Sequence, residues 1–145
     1  MNNDHAQRLL GAVDAFLNRY LVEGADGKPR PLRYNPVDYQ TLKRVEEKPD
    51  IRATDIAAVL GIPATTMQSA LDRLVRMGFL EKRAHPEDGR AKVYRLSEAG
   101  VTLRREIHAQ DLANMEAMLS VLDEAEQEIV VGLLERVEQA LRSKG

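Results

Sequence analysis

At 145 residues the chain has room for one domain with a single sizeable core. Hydrophobic residues make up 43% and charged residues 30%, which excludes a wholly disordered chain. With no cysteine, disulfide frameworks, thiolate nucleophiles and thiol-based redox sensing are excluded as well. The formal net charge of −2 hides a split by position: residues 30–105 hold 15 Lys/Arg against 10 Asp/Glu, whereas the two flanks together hold 6 against 13. A basic middle between acidic ends is the pattern of a polyanion-facing segment carried on a scaffold that faces something else. The longest apolar run, Ile129 to Leu134 around Gly132, is far below the ~18 residues of a membrane helix. The polar start Met1 to His5 does not read as a signal peptide, and a reducing cytoplasm is the expected location, with no membrane partner.

Leu9, Leu10, Val13, Phe16, Leu17, Tyr20 and Leu21 recur at helical spacing and predict an amphipathic first helix that stops at Gly24. Gly24, Gly27, Pro29, Pro31 and Pro36 then make the connection 24–36 too breaker-rich for helix. A second helix is expected after Pro36, with Tyr39, Leu42 and Val45 on one face, ending before Pro49. Thr54 is read as the cap of a third, which buries Ile56, Ala57 and Leu60 and ends at Gly61 in the manner of a C-terminal glycine. Pro63 or Ala64 opens a fourth, with Met67, Ala70, Leu71 and Leu74 apolar, closing at Gly78. Two short helices around a tight glycine-containing turn are the helix-turn-helix signature.

Phe79–Arg83 and Ala91–Leu96 read as strands around a turn at Asp88–Gly89, a favoured hairpin pair. A hairpin directly after a helix-turn-helix is a wing. Ser97 begins a long helix with Leu103, Ile107, Met115, Leu119 and Leu122 apolar, and Asp123-x-x-Glu126 is a capping box for the last helix, which carries Ile129, Val130, Leu133, Leu134, Val137 and Leu141. The expected fold is mainly α with a small β-hairpin wing: a winged helix-turn-helix bracketed by helices.

Residues Leu71 to Lys82, Pro86 to Lys92 and Leu96-Ser97-x-x-Gly100 together resemble the MarR-type winged helix-turn-helix transcriptional regulators, most strongly from Tyr39 to Gly100. The family's wing pattern of an Asp two residues before an Arg is met by Asp88 and Arg90, and serine stands at position 97 where the family pattern has threonine. The resemblance implies a homodimer joined through helices 4–23 and 98–143, with the DNA-binding lobe at 36–97. Dimeric readers of this type address half-sites about one helical turn, ~34 Å, apart, so a pseudo-palindromic operator in double-stranded DNA is expected. A dimer seated on promoter DNA blocks polymerase without further machinery, which favours a repressor. The resemblance also implies a cleft for a small aromatic effector between the dimer helices and the DNA-binding lobe, here with Phe16, Tyr20, Tyr39, Arg104, Ile107 and His108 as its lining.

The fourth helix is expected to present Ala64, Thr65, Thr66, Gln68 and Ser69 to base edges, with Gln68 suited to adenine and the threonines to thymine methyls or phosphate. Many relatives have a basic residue near the position of Ser69; this chain has none there, which shifts affinity toward the wing. Arg90 at the hairpin tip is placed for a minor groove, whose negative potential attracts guanidinium. Asp88 beside DNA is expected to orient the wing by pairing with Arg73 or Arg90. Of Arg73 and Arg76, one braces the wing and the other meets phosphate. Lys82, Arg83, Lys92 and Arg95 make the hairpin basic, which suits sequence-independent backbone contacts. Enzyme motifs are missing: no G-x-S-x-G, P-loop or H-E-x-x-H occurs, and His5, His85 and His108 share no ligand spacing, so neither cofactor nor metal is expected. Two rival readings stay open, a winged-helix protein-interaction module and a sequence-indifferent architectural DNA binder.

Overall fold

The computed structural model describes residues 3–145. In chain order the elements are α1 (Asn3–Val22), α2 (Pro36–Glu47), β1 (Ile51–Arg52), α3 (Ala53–Leu60), α4 (Ala64–Arg76), β2 (Leu80–Ala84), β3 (Lys92–Leu96), α5 (Glu98–Leu119) and α6 (Glu124–Arg142). The hairpin β2–β3 is the wing, and β1 adds to its inner edge, giving an antiparallel sheet in the order β1-β3-β2.

Local chemistry sets the helix ends. Asn35 accepts the Val37 and Asp38 amides while Pro36 fills the first helical position of α2, where a missing N–H costs nothing. Gly61 ends α3 at φ 66° and Gly78 follows α4 at φ 82°, left-handed positions at which a side chain would be strained. Asp123 and Glu126 form the expected reciprocal capping box of α6.

Two local expectations are corrected. Thr54 does not cap α3: the helix starts at Ala53, and the preceding Arg52 is held extended by its pairing with Val93, with no side-chain cap. Nor is Asp88–Gly89 a two-residue turn. The wing loop runs from His85, whose N–H bonds Ala91 O at 2.9 Å, and closes through Ala91 N–H to Asp88 O at 3.1 Å, with Gly89 not among the residues at positive φ. His85 Nδ1 accepts the Glu87 and Asp88 amides, both at 3.1 Å, which replaces the compact turn by a longer side-chain-capped loop.

The core joins Leu42 and Val45 of α2, Ile56 of α3, Met67, Leu71 and Leu74 of α4, Leu80 and Tyr94 of the sheet, and Leu103 and Ile107 of α5. Each such fully buried side chain contributes about 1.5–3 kcal/mol. The first half of α5 is therefore part of the winged-helix core as well as a bracketing helix. Its seating explains the Leu96-Ser97-x-x-Gly100 pattern. Ser97 Oγ accepts the Gly100 amide at 3.0 Å and donates to Gly78 O at 2.6 Å, while a Cβ at Gly100 would lie 2.1 Å from the Phe79 carbonyl oxygen. Only glycine lets α5 cross that backbone.

The connection 24–36 is pinned to α5. The Ala25 amide donates to Asn114 Oδ1 at 2.7 Å, and Gln110 Nε2 donates to Lys28 O at 3.2 Å. By contrast, α1 and α6 bury no residue at all.

Candidate nucleic-acid interface

The N-terminal turns of α4 hold Ala64, Thr65, Thr66 and Ser69 exposed, beside the wing. The Ser69 hydroxyl donates back to Thr65 O at 3.1 Å, so its methylene and lone pairs are what it offers outward. Gln68 is turned the other way. Its Nε2 donates to Asp72 Oδ1 at 2.9 Å within α4 and to the Tyr94 hydroxyl at 3.2 Å on β3, which engages both amide protons, one of them in bracing α4 against β3. A bidentate contact to adenine needs one of those protons, so Gln68 is oriented as a brace in the free protein.

Sorting the basic residues by partner changes their weights. Arg73 grips Asp38 with Nε at 3.2 Å and with Nη2, tying α4 to α2. Asp38 is 4% exposed, and its hydrogen bond holds the Arg73 pKa above the ordinary guanidinium value. The expectation that Arg73 or Arg90 pairs with Asp88 is thereby corrected. Asp88 Oδ1 instead accepts the backbone N–H of Arg90 at 3.2 Å, shaping the tip through the main chain. Arg83 pairs with Glu81 at 2.8 Å and Arg95 with Asp50 at 2.6 Å, each neutralised in place. Among the described residues no ion pair forms at Arg76, Lys82, Arg90 or Lys92, all exposed, or at half-buried Arg52 of β1. Arg52 escaped the sequence reading because a two-residue strand carries no periodicity.

A cavity of about 500 Å³ lies between α1, α2, α5 and the 24–36 connection. Phe16, Tyr20 and Tyr39 line it as expected, but Arg104, Ile107 and His108 do not. Arg104 reaches Glu46 at 3.3 Å, Ile107 is core at 1% exposure, and His108 faces solvent. The α5 contribution comes from one to three turns further on, from Asp111, Asn114, Met115 and Met118. Arg30 was missed for this site, because only the folded connection brings it in. Its side chain is 6% exposed, its Nη1 meets Asp111 Oδ1 at 2.7 Å, and its guanidinium carbon sits 5.0 Å from the Tyr39 ring centroid. Burial opposes the Arg30 charge, yet the hydrogen bonds it donates to Asp111 and Tyr39, with the Asp111 charge, outweigh it and raise its pKa. Burial also raises the pKa of the Tyr39 phenol, so both groups keep their protons at neutral pH.

Among the described residues no cluster of three His, Cys, Asp or Glu could hold a metal, and no helix is long and apolar enough to cross a membrane.

A helix-turn-helix with an exposed N-terminal end on its second helix, followed directly by a β-hairpin, defines a winged-helix protein. Comparison with known proteins agrees. Residues 34–91 match the model of the MarR family. The HTH-type transcriptional regulator MhqR of Bacillus subtilis (strain 168) is 27% identical over 103 residues, 71% of each chain. FabT of Streptococcus pneumoniae, solved in complex with DNA, superposes with a TM-score of 0.77 at 21% identity, over 97% of this chain and 99% of that one. The PcaV regulator of Streptomyces coelicolor, solved with its natural ligand, superposes with a TM-score of 0.60 at 24% identity, over 94% and 90%. The likeness to the MarR family is carried by residues 34–91, the winged-helix part of the chain, and the relative matched over 71% of the chain is a transcriptional regulator.

Proposed function

We propose that this protein is a homodimeric, sequence-specific regulator, a repressor that occupies a pseudo-palindromic operator in the cytoplasm and is released by a small aromatic effector. The observation that carries the DNA reading is the partition of charge. Arg73, Arg83 and Arg95 are neutralised by carboxylates, whereas Arg52, Lys82, Arg90 and Lys92 stand unpaired around the exposed end of α4. In the proposed complex Thr65, Thr66 and Ser69 meet base edges, Arg90 enters the minor groove, and Arg76 and the lysines meet phosphate.

Support for a dimer comes from the bracketing helices. Leu9, Val13 and Leu17 of α1 and Ile129, Leu134 and Val137 of α6 are between 40% and 64% exposed, a larger apolar face than a monomer keeps in water. A second copy covering α1, α5 and α6 would bury it and set two reading heads side by side. Support for an effector comes from the cavity, whose volume and aromatic walls suit a small flat aromatic molecule, with its one buried cation, Arg30, already paired with Asp111. FabT was solved on DNA and PcaV with a ligand, which fits both halves of the reading.

Titration with a mixed-sequence duplex tests the reading. Affinity is expected to fall by on the order of 10³ or more between 50 and 200 mM salt, as multiple phosphate contacts release counterions. A panel of small aromatic acids and phenols added to the complex is expected to include one that releases the duplex. A protein-interaction module would give no salt-sensitive duplex binding, and a complex indifferent to the whole panel would remove the effector.

A further inference from the structure

The wing loop hangs on one imidazole ring. His85 Nδ1 accepts the backbone N–H groups of Glu87 and Asp88, both at 3.1 Å, and a ring nitrogen that accepts must carry a lone pair rather than a proton. The ring is therefore neutral, with its proton on Nε2. From it a chain of bonds leads to the tip. Asp88, placed through its own amide, accepts the Arg90 N–H on its carboxylate at 3.2 Å and the Ala91 N–H on its carbonyl at 3.1 Å. The main chain on both sides of the Arg90 side chain is thus held by Asp88, and Asp88 by His85.

Protonation inverts the role of the ring. An imidazolium carries N–H at both nitrogens and accepts from neither, so a protonated Nδ1 would face two backbone donors with a third. His85 is only half-buried, so solvent protons reach it. The added charge would stand among the ions of the wing: Arg83 and Lys92 where the strands meet the loop, and Glu87, Asp88 and Arg90 within it. Arg83 is already paired with Glu81. Of the two loop carboxylates, Asp88 is the one that holds the Arg90 amide, so an imidazolium that draws Asp88 takes it from Arg90.

We propose that His85 is the positioning residue of the wing tip and makes that tip pH-sensitive: the neutral ring holds Arg90 in place, and protonation releases it. The consequence at the operator rests on the DNA-binding reading above; the behaviour of the loop does not. An asparagine oxygen that accepts the amides two and three residues on would build the same turn. Histidine differs from it in one respect, as the side chain whose charge ordinarily changes between about pH 5 and 8.

The test follows the free protein and its complexes from about pH 5.5 to 8. In the free protein, the Glu87 and Asp88 amide resonances are expected to move with the His85 ring protons in one titration, and to stay still in His85→Asn, whose oxygen accepts at every pH of the series. On DNA, the readout is the ratio of affinities for a selected operator and a scrambled duplex of equal length at fixed salt, because a general gain of positive charge favours both duplexes alike. The wild-type ratio is expected to fall at least about fivefold on acidification, the lower end of the cost of losing one arginine contact, and to stay flat in His85→Asn and in Arg90→Ala. Wild-type loop amides indifferent to pH would overturn the switch whatever happens on DNA. So would an equal fall of the ratio in His85→Asn, which would place the response in His5, His108 or a carboxylate. Amides that titrate beside an unchanging wild-type ratio would overturn the hold on Arg90. A wild type whose amides titrate but that binds neither duplex would overturn the DNA-binding reading and leave the loop switch standing.

Discussion

Leu134→Glu is expected to leave a folded protein that no longer dimerises and that binds its operator 10²- to 10⁴-fold more weakly, the factor lost when two linked heads become one. Leu134 is 62% exposed on α6, amid Ile129, Val131, Leu133, Val137 and Leu141, all at least 40% exposed. A carboxylate there is solvated in a monomer, but must be desolvated in a dimer whose interface uses this face. The DNA-binding lobe should be unaffected, because its core draws on no residue of α1 or α6. Sedimentation velocity and duplex titration on the same sample read the two effects together. A variant that stays dimeric at micromolar concentration and keeps wild-type affinity would show that α6 is not the interface.

Arg90→Ala is expected to cost about 1–3 kcal/mol of operator binding, roughly 5- to 150-fold, with the thermal midpoint unmoved. The Arg90 side chain is exposed and makes no ion pair among the described residues, so truncation removes nothing from the fold. The tip itself should survive, since it is built from the Asp88 carboxylate, the His85 ring and backbone, none of which needs the guanidinium. The loss should be greatest where A·T-rich sequence narrows the minor groove under the wing. Equal affinity of variant and wild type across such sequences would remove the wing tip from the mechanism.

Much of this architecture is legible in the sequence, because apolar residues spaced for helices mark each long element and Gly61, Gly78, Ser97 and Asp123 mark their ends. What escapes local reading depends on partners far along the chain. The strand Ile51–Arg52 forms only because Val93 and Tyr94 offer an edge, and its two residues show no alternation. Arg73 and Asp38 are 35 residues apart, and Gln68 and Tyr94 are 26 apart, so nothing in the α4 pattern reveals that two of its polar residues face inward. The cavity illustrates the same limit. Its aromatic wall from α1 and α2 was predictable, yet the part of α5 that completes it follows from how Gln110 and Asn114 clip the 24–36 connection. Arg30 reaches the site only through that clip.

Selection of the purified protein on a random duplex library at near-physiological salt, with sequencing of the bound fraction, tests the central claim most directly. The account predicts enrichment of an inverted repeat whose half-sites lie about one helical turn, ~10–10.5 base pairs, centre to centre. Recovery of unenriched duplexes would make the protein a sequence-indifferent binder, and recovery of none by a folded, ligand-free dimer would contradict a DNA-binding role altogether.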